Sequence, residues 1–376
     1  MKKVFVLLAV LTAAVNVNAG DYEPKKPDFI DNGIGYDITS NSTCKVAMYR
    51  DANSNSVYSG DFVIPSTANY GTVTYTVTCI GKNAFSRSTI TSIQIAETVT
   101  EIEDDAFDYC EKLTSIDIGK NIVQIGDRGS WRVREVFEDC YSLTAFNVDP
   151  DNPNYADIDG VLTTKDKKAL FCYPCAKQGS SYTTPAEVEI IGPYAFMQAN
   201  NLVDLILSNH VTSIQMPSFY ECNNLQTITI GDGVTDIGYY ENFVENCPNL
   251  KTIYIGANLP LDYVLAIINE SKYRGYSVDA SKNKYVTVSG NVLFSKDMTE
   301  LYTVMAPISG AYTIPLTVTS IGGGAFYGCE NLLSVTFPNS VTNIGNYAFS
   351  NCRGLTSVTI PNSVASIGQG AFYGCI

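Results

Sequence analysis

Histidine and tryptophan are nearly missing from this 376-residue chain, which has one of each, His210 and Trp131. A single histidine excludes zinc centres built from several histidines and leaves at most one histidine-activated nucleophile to consider. Basic residues are also few: 24 Lys and Arg stand against 38 Asp and Glu, for a net charge of −14. A chain this acidic lacks the basic face on which nucleic-acid binding depends. Beyond the N-terminus, no apolar run approaches the roughly 20 residues that cross a bilayer as a helix. The 11 cysteines are too sparse for a small disulfide-stapled scaffold. What is plentiful is apolar and aromatic, with 45% hydrophobic residues and 25 tyrosines. That composition supports a sizeable core and excludes wholesale disorder.

The N-terminus has the layout of an export signal. Lys2 and Lys3 precede an apolar run from Val4 to Val15, and Val17-Asn18-Ala19 supplies small residues for cleavage. The run is too short for a transmembrane anchor, and no cysteine follows it to carry a lipid. Residues 1–19 are therefore expected to be removed, and loss of the two lysines takes the charge from −14 to −16. The mature chain is expected to be secreted or held at the cell surface after Sec-type export, in a compartment that permits disulfides.

A 23-residue period organises the chain from about residue 80 onward. Phe196 and Phe219 are one period apart, as are Phe326, Phe349 and Phe372, and Cys329, Cys352 and Cys375 keep the same step. The clearest unit runs Leu355-Thr-Ser-Val358-Thr-Ile360-Pro-Asn-Ser-Val364-Ala-Ser-Ile367-Gly-Gln-Gly-Ala371-Phe372-Tyr-Gly-Cys375. Further copies pass through Ala84-Phe85, Ala106-Phe107 and Phe137, then Ile191, Ile214 and Ile237. Repetition of this kind marks a stacked array in which no single unit buries its own apolar face. In Leu113-Thr-Ser-Ile116-Asp-Ile118 the apolar residues share one face, as a short strand requires. The glycine after the isoleucine (Gly81, Gly126, Gly192, Gly238, Gly345, Gly368) is expected at a turn that needs free backbone angles.

These motifs resemble the BspA-type leucine-rich repeat family, whose units run Leu-Thr-Ser-Ile and then Ile-Gly-x-x-Ala-Phe-x-x-Cys. The match is nearly letter for letter from Ser320 to Cys375 and extends over about residues 80–376. The resemblance implies a β-rich α/β solenoid of parallel strands. It also implies a non-catalytic role in protein–protein contact or adhesion to host or neighbouring cells.

Departures from the period define the other parts. Residues 20–79 lack it and read as alternating strands, an expected N-terminal β cap for a solenoid over residues 80–376. Seven extra residues enter around Asp127–Arg134, between Phe107 and Phe137. Two longer β-rich insertions, about 149–185 and 279–315, match each other at an offset of 130, pairing Tyr155 with Tyr285, Gly160 with Gly290 and Tyr182 with Tyr312. A degenerate coil precedes the second, with Tyr273, Tyr276 and Val278 lying 23 residues after Leu250, Ile253 and Ile255. Leu261, Val264, Leu265 and Ile268 keep helical spacing within it. The chain stops at Cys375-Ile376 in mid-coil, which is expected of a fragment or of a missing neighbour.

Candidate chemistry is sparse, and neither catalytic residues nor a cofactor or metal are expected. Cys172-Tyr-Pro-Cys175 has thiol-exchange spacing, but its flanks read as strand and no helix N-terminus follows to acidify a thiol. It reads as a disulfide or as two free thiols. Cys44 and Cys79 are a second candidate pair. Seven cysteines (Cys110, Cys140, Cys222, Cys247, Cys329, Cys352, Cys375) share one repeat position and read as a buried column of small apolar side chains. Asp149-Pro-Asp151-Asn152-Pro-Asn154 clusters oxygens as a calcium loop does, but it lacks the usual glycine and terminal glutamate and reads equally as a turn. His210 takes the place of Ser340 and Ser363 in sister coils, a solvated loop position.

The surface remains. Outward strand positions are mostly Ser and Thr, with Ile206 and Tyr254 as exceptions. Aromatic and arginine side chains off the pattern, Trp131, Arg132 and Arg134 in one insertion and Tyr273, Arg274 and Tyr276 near another, are of the types enriched in binding hot spots. These eight are the candidate partner-binding residues. The partner expected is a protein of host matrix or cell surface. The alternative is a glycan, with the chain serving as the surface carbohydrate-binding component of a nutrient-acquisition system.

Overall fold

The computed structural model describes residues 26–51, 53–127, 132–238 and 242–375. The export segment and Trp131 lie outside these described residues. Each regular coil contributes two short strands. The first, as in Ser115–Ile118, alternates exposed and buried side chains because successive residues point to opposite faces. The second is two residues long, and its isoleucine faces the core. These second strands pair in parallel at the predicted step, Ile191 with Ile214 and Ile237, and Ile321 with Ile344 and Ile367. Between coils the phenylalanine rings stack. Phe349 lies 4.8 Å from Phe326 and 5.3 Å from Phe372, with planes 10° and 3° apart.

The fold is a parallel β-solenoid rather than the α/β form expected. Among the described residues it holds one α-helix, α1 (Leu261–Arg274), and the short 3-10 helix Val133–Phe137. The reason lies in where the backbone donors go. Phe326 N–H bonds Ala348 O and Phe349 N–H bonds Ala371 O, each at 2.7 Å in the next coil. Donors used laterally in this way are not free for i→i−4 helical bonds. Turns close the coil instead, with Tyr347 and Asn351 at positive φ on either side of Ala348-Phe349.

The glycine after the isoleucine serves a different purpose from the one expected. Gly126 does adopt positive φ, but Gly192 and Gly345 do not. At Gly345 a Cβ would fall 2.9 Å from Ile321 O and 2.6 Å from Gly323 N, so the side chain is forbidden by the neighbouring coil. Its N–H donates to that same Ile321 O at 2.8 Å. Close stacking, not backbone freedom, selects glycine here.

The cysteine column is also explained by stacking. Cys110, Cys140, Cys352 and Cys375 each donate a thiol hydrogen bond, at 3.1–3.2 Å, to the phenylalanine carbonyl of the preceding coil. All eleven cysteines are free thiols, including Cys44, Cys79, Cys172 and Cys175.

The degenerate coil contains α1, and the register there is longer than expected. Thr252–Tyr254 pairs with Ser277–Asp279, placing Val278 opposite Ile253, a step of 25. Pro260 begins the helix and Gly275, at φ 83°, ends it by donating to Ser271 O.

Both long insertions are three-stranded antiparallel meanders. Tyr155–Ile158, Val161–Thr164 and Ala169–Cys172 form one; Val286–Ser289, Val292–Ser295 and Glu300–Val304 form the other. In each, the third strand joins the parallel column, Leu170 pairing with Ile191 and Leu301 with Ile321. Phe29–Asp31, Ile34–Ile38 and Thr43–Val46 repeat this arrangement at the start of the described chain, Val46 pairing with Ile80. Two-residue turns link the first two strands in all three modules, pairing Asp31 with Ile34, Ile158 with Val161, and Ser289 with Val292. The offset between the insertions therefore slips from 130 to 131, and Gly160 corresponds to Asn291 rather than to Gly290. The extra residue precedes a buried asparagine: Asn152 donates to Gly119 O and Ile122 O, and Asn283 to Gly256 O and Leu259 O.

Candidate binding groove on the parallel sheet

The longest run of paired first strands has five members, Ser181–Thr183, Asp204–Ile206, Thr227–Thr229, Thr252–Tyr254 and Ser277–Asp279. Register places Thr183, Ile206, Thr229, Tyr254 and Asp279 in one outward row. The two exceptions noted in the sequence, Ile206 and Tyr254, thus stand two strands apart over Thr229, about 10 Å at the usual strand spacing. Both are exposed, at 38% and 42%.

Below this row the coils turn, and here the chain carries Gly231 and Gly256 where sister coils have Pro338 and Pro361. A Cβ at Gly256 would sit 2.3 Å from Gly231 O, and one at Gly231 2.4 Å from Ser208 O. The glycines let these turns stack backbone on backbone, and beside them lies a cavity of about 510 Å³, walled by Ile206 and Tyr254 on the sheet side and by Asn209, Asp232 and Lys282 on the turn side. Asp232 Oδ1 accepts the Ala257 N–H and Asn209 Oδ1 the Asp232 N–H, each at 2.8 Å, which fixes the turn wall. Asp279, at the end of the row, accepts the Ser281 N–H, and hydrogen bonds from Ser281 hold its carboxyl below the usual range. Ser208 Oγ is buried without a hydrogen-bond partner. A site of this size with apolar walls and a few oriented polar groups has the character of a recognition pocket. Ile206 and Tyr254 stand out in the sequence as exceptions to the Ser/Thr pattern; the floor does not, although the exchange of proline for Gly231 and Gly256 marks it.

The other candidates fall elsewhere. Arg134 is core, 1% exposed. Its Nη2 reaches Cys175 Sγ at 2.8 Å and Met197 O at 3.0 Å, and its Nη1 reaches Phe137 O. The period already resumes at Val136-Phe137, so Arg134 belongs to the coil and not to a surface loop. Tyr276 is core as well, 5% exposed, with its hydroxyl on Ile267 O, because α1 lengthens the coil and turns it inward. Arg132 pairs with Glu135 at 3.1 Å and lies over the Tyr194 ring. Tyr273 is 78% exposed at the end of α1, and Arg274 pairs with Glu270 at 3.8 Å. Neither lines the groove. Burial pushes the Cys172 thiol up to about 12 and raises that of Cys175, the reverse of what thiol exchange needs. In the Asp149–Asn154 loop, Asp149 Oδ1 accepts the Asp151 N–H and Asn152 Oδ1 the Asn154 and Tyr155 N–H groups. Among the described residues no group of three or more His, Cys, Asp or Glu could hold a metal ion.

Stacked coils joined by parallel strands, with leucine, isoleucine and phenylalanine columns inside, define a leucine-rich repeat protein. The chain belongs to the family described as BspA type Leucine rich repeat region, whose model matches six copies over residues 68–157, 167–266 and 310–376. Solved structures similar to it include several from bacteria. A leucine-rich repeat protein from Bacteroides ovatus shares 20% identity, covering 93% of this chain and 92% of its own, with a TM-score of 0.40. One from Eubacterium ventriosum shares 21%, covering 91% and 92%, at 0.39. The pneumococcal vaccine antigen PcpA shares 18%, covering 82% and 98%, at 0.34. No curated protein matches the chain. Among the described residues no helix is long and apolar enough to cross a membrane.

Proposed function

We propose that this protein is exported, and that it serves at the cell surface or in the surrounding medium as an interaction scaffold that adheres to proteins of host or neighbouring cells. The observation that carries this reading is the groove at Ile206 and Tyr254. It places two apolar side chains at the mouth of a cavity on an otherwise hydroxyl-rich solvated sheet, and side chains of this kind anchor protein interfaces. Family membership supports the coarser part, since leucine-rich repeat solenoids present extended surfaces to protein partners. The N-terminal Lys2-Lys3 and Val4–Val15 pattern supports export, with a mature chain beginning at Gly20.

The test is a solid-phase binding screen of residues 20–376 against matrix proteins, mucin and glycans, run in parallel with Tyr254→Ala. Saturable capture of a protein ligand that Tyr254→Ala loses supports the reading. Capture of glycans alone would replace it with the carbohydrate-binding alternative.

A further inference from the structure

Resting on the protein-binding reading above, we infer that the groove takes an extended, cationic polypeptide segment, with one apolar side chain seated over Thr229 and a lysine or arginine beside Asp279. Of the ionisable groups lining the cavity, Asp232 and Asp279 are acidic and only Lys282 is basic. Asp204 lies in the adjoining row, where its Oδ1 accepts the Thr227 hydroxyl. The chain as a whole carries −14. An anionic segment would be repelled from this face and a cationic one drawn to it.

Spacing makes the fit more specific. Ile206 and Tyr254 flank Thr229, leaving room for one apolar side chain between two hydrophobic walls. In an extended segment running along the solenoid axis, side chains on one face recur about every 6.6 Å, while the strands beneath recur about every 4.8 Å. The residue two places beyond the apolar anchor therefore reaches the space between Tyr254 and Asp279. A cation there meets both a carboxylate and an aromatic face. The floor suits backbone rather than bulky groups, since Gly231 and Gly256 present only main chain there.

The test is fluorescence anisotropy of the mature chain with four labelled probes. These are a heptapeptide alternating lysine with leucine and phenylalanine, its glutamate counterpart, a lysine–serine counterpart without apolar residues, and maltohexaose. The inference expects saturable binding of the first probe alone, weakening between 50 and 300 mM salt as screening rises. Ile206→Thr, which restores the residue of the neighbouring coil, is expected to weaken binding at least fivefold, as is Asp232→Asn with Asp279→Asn. Glu97→Gln, which removes one charge far from the groove, is expected to leave it unchanged. Equal binding of the glutamate peptide or of maltohexaose overturns the inference, as does full affinity in Ile206→Thr or no binding of the first probe. If a protein ligand is still captured through Tyr254 when the first probe fails, only the chemistry of the segment is wrong and the broader reading stands.

Discussion

The guanidinium of Arg134 and the thiol of Cys175 meet at 2.8 Å inside the solenoid, 41 positions apart in the chain. The same arginine reaches Phe137 O in its own coil and Met197 O in the coil beyond the first meander. One side chain thus bridges the point where the sheet of Ser115–Ile118 and Ala145–Val148 ends and the five-stranded sheet begins. Arginine remains charged in proteins, and here carbonyl dipoles, Gln198 and a thiol hold it.

Truncating this bridge should therefore damage the fold rather than binding. Arg134→Ala is expected to cost about 2–5 kcal/mol, because it opens a cavity and leaves the Phe137 and Met197 carbonyls short of a donor. The exposed Arg132→Ala should change stability by less than about 0.5 kcal/mol. Urea unfolding of the two variants checks this, and equal midpoints would show that Arg134 is not a clasp.

The phenylalanine column predicts a position effect. Phe349 is fully buried between two rings, whereas Phe372 is only partly buried. Phe349→Ala is expected to cost about 3–5 kcal/mol and Phe372→Ala clearly less. Thermal melts of both variants decide it; a reversed order would contradict the stacking.

Thiol reactivity should follow the coils. Cys247 and Cys375 are half-buried and the other nine cysteines buried. A thiol reagent applied to the native protein is expected to modify those two first. Unfolding without reductant is expected to release all eleven thiols, and any shortfall would mean that disulfides form.

The Asp108 site should contribute less to stability as pH rises through the acidic range. Burial, then Glu138, Asp105 and Asp139, push the Asp108 carboxyl up to about 7, with Arg87 opposing them. Burial and Asp139 raise Glu138 as well. A carboxyl with its folded pKa above the unfolded value of 3.8 binds its proton more tightly when folded. At this carboxyl the folded state therefore holds more of the proton between about pH 4 and 7, and its contribution to stability declines across that window. Asp108→Asn is expected to raise the unfolding midpoint relative to the wild type at pH 8, with the gap closing toward pH 4. An unchanged pH profile would contradict this.

Much of the fold was legible because buried columns constrain residue type coil after coil. Phe326, Phe349 and Phe372 announce one column, and Cys329, Cys352 and Cys375 another. What the sequence hid lies where the period breaks. A step of 23 misplaces Tyr276, because α1 stretches that coil to 25 and turns the ring inward. Arg134 looks like loop in sequence, although counting back from Phe137 puts it inside the coil. Residues 29–46 show no period, yet they fold as the same meander as both insertions. Their shared signal is only a two-residue turn, Asn32-Gly33 or Asp159-Gly160, between short strands. The groove needed register: Ile206 and Tyr254 are far apart in sequence and become neighbours only across Thr229.

If partners bind at this groove, hydroxyl-radical footprinting of tyrosines will report it. Tyr254, Tyr273, Tyr327 and Tyr373 are all exposed in the free chain, so each reports on its own surface. With the captured protein ligand bound, the oxidation rate of Tyr254 is expected to fall several-fold while those of Tyr273, Tyr327 and Tyr373 hold. Protection of Tyr327 or Tyr373 with Tyr254 unchanged would place the partner on another face and contradict the account.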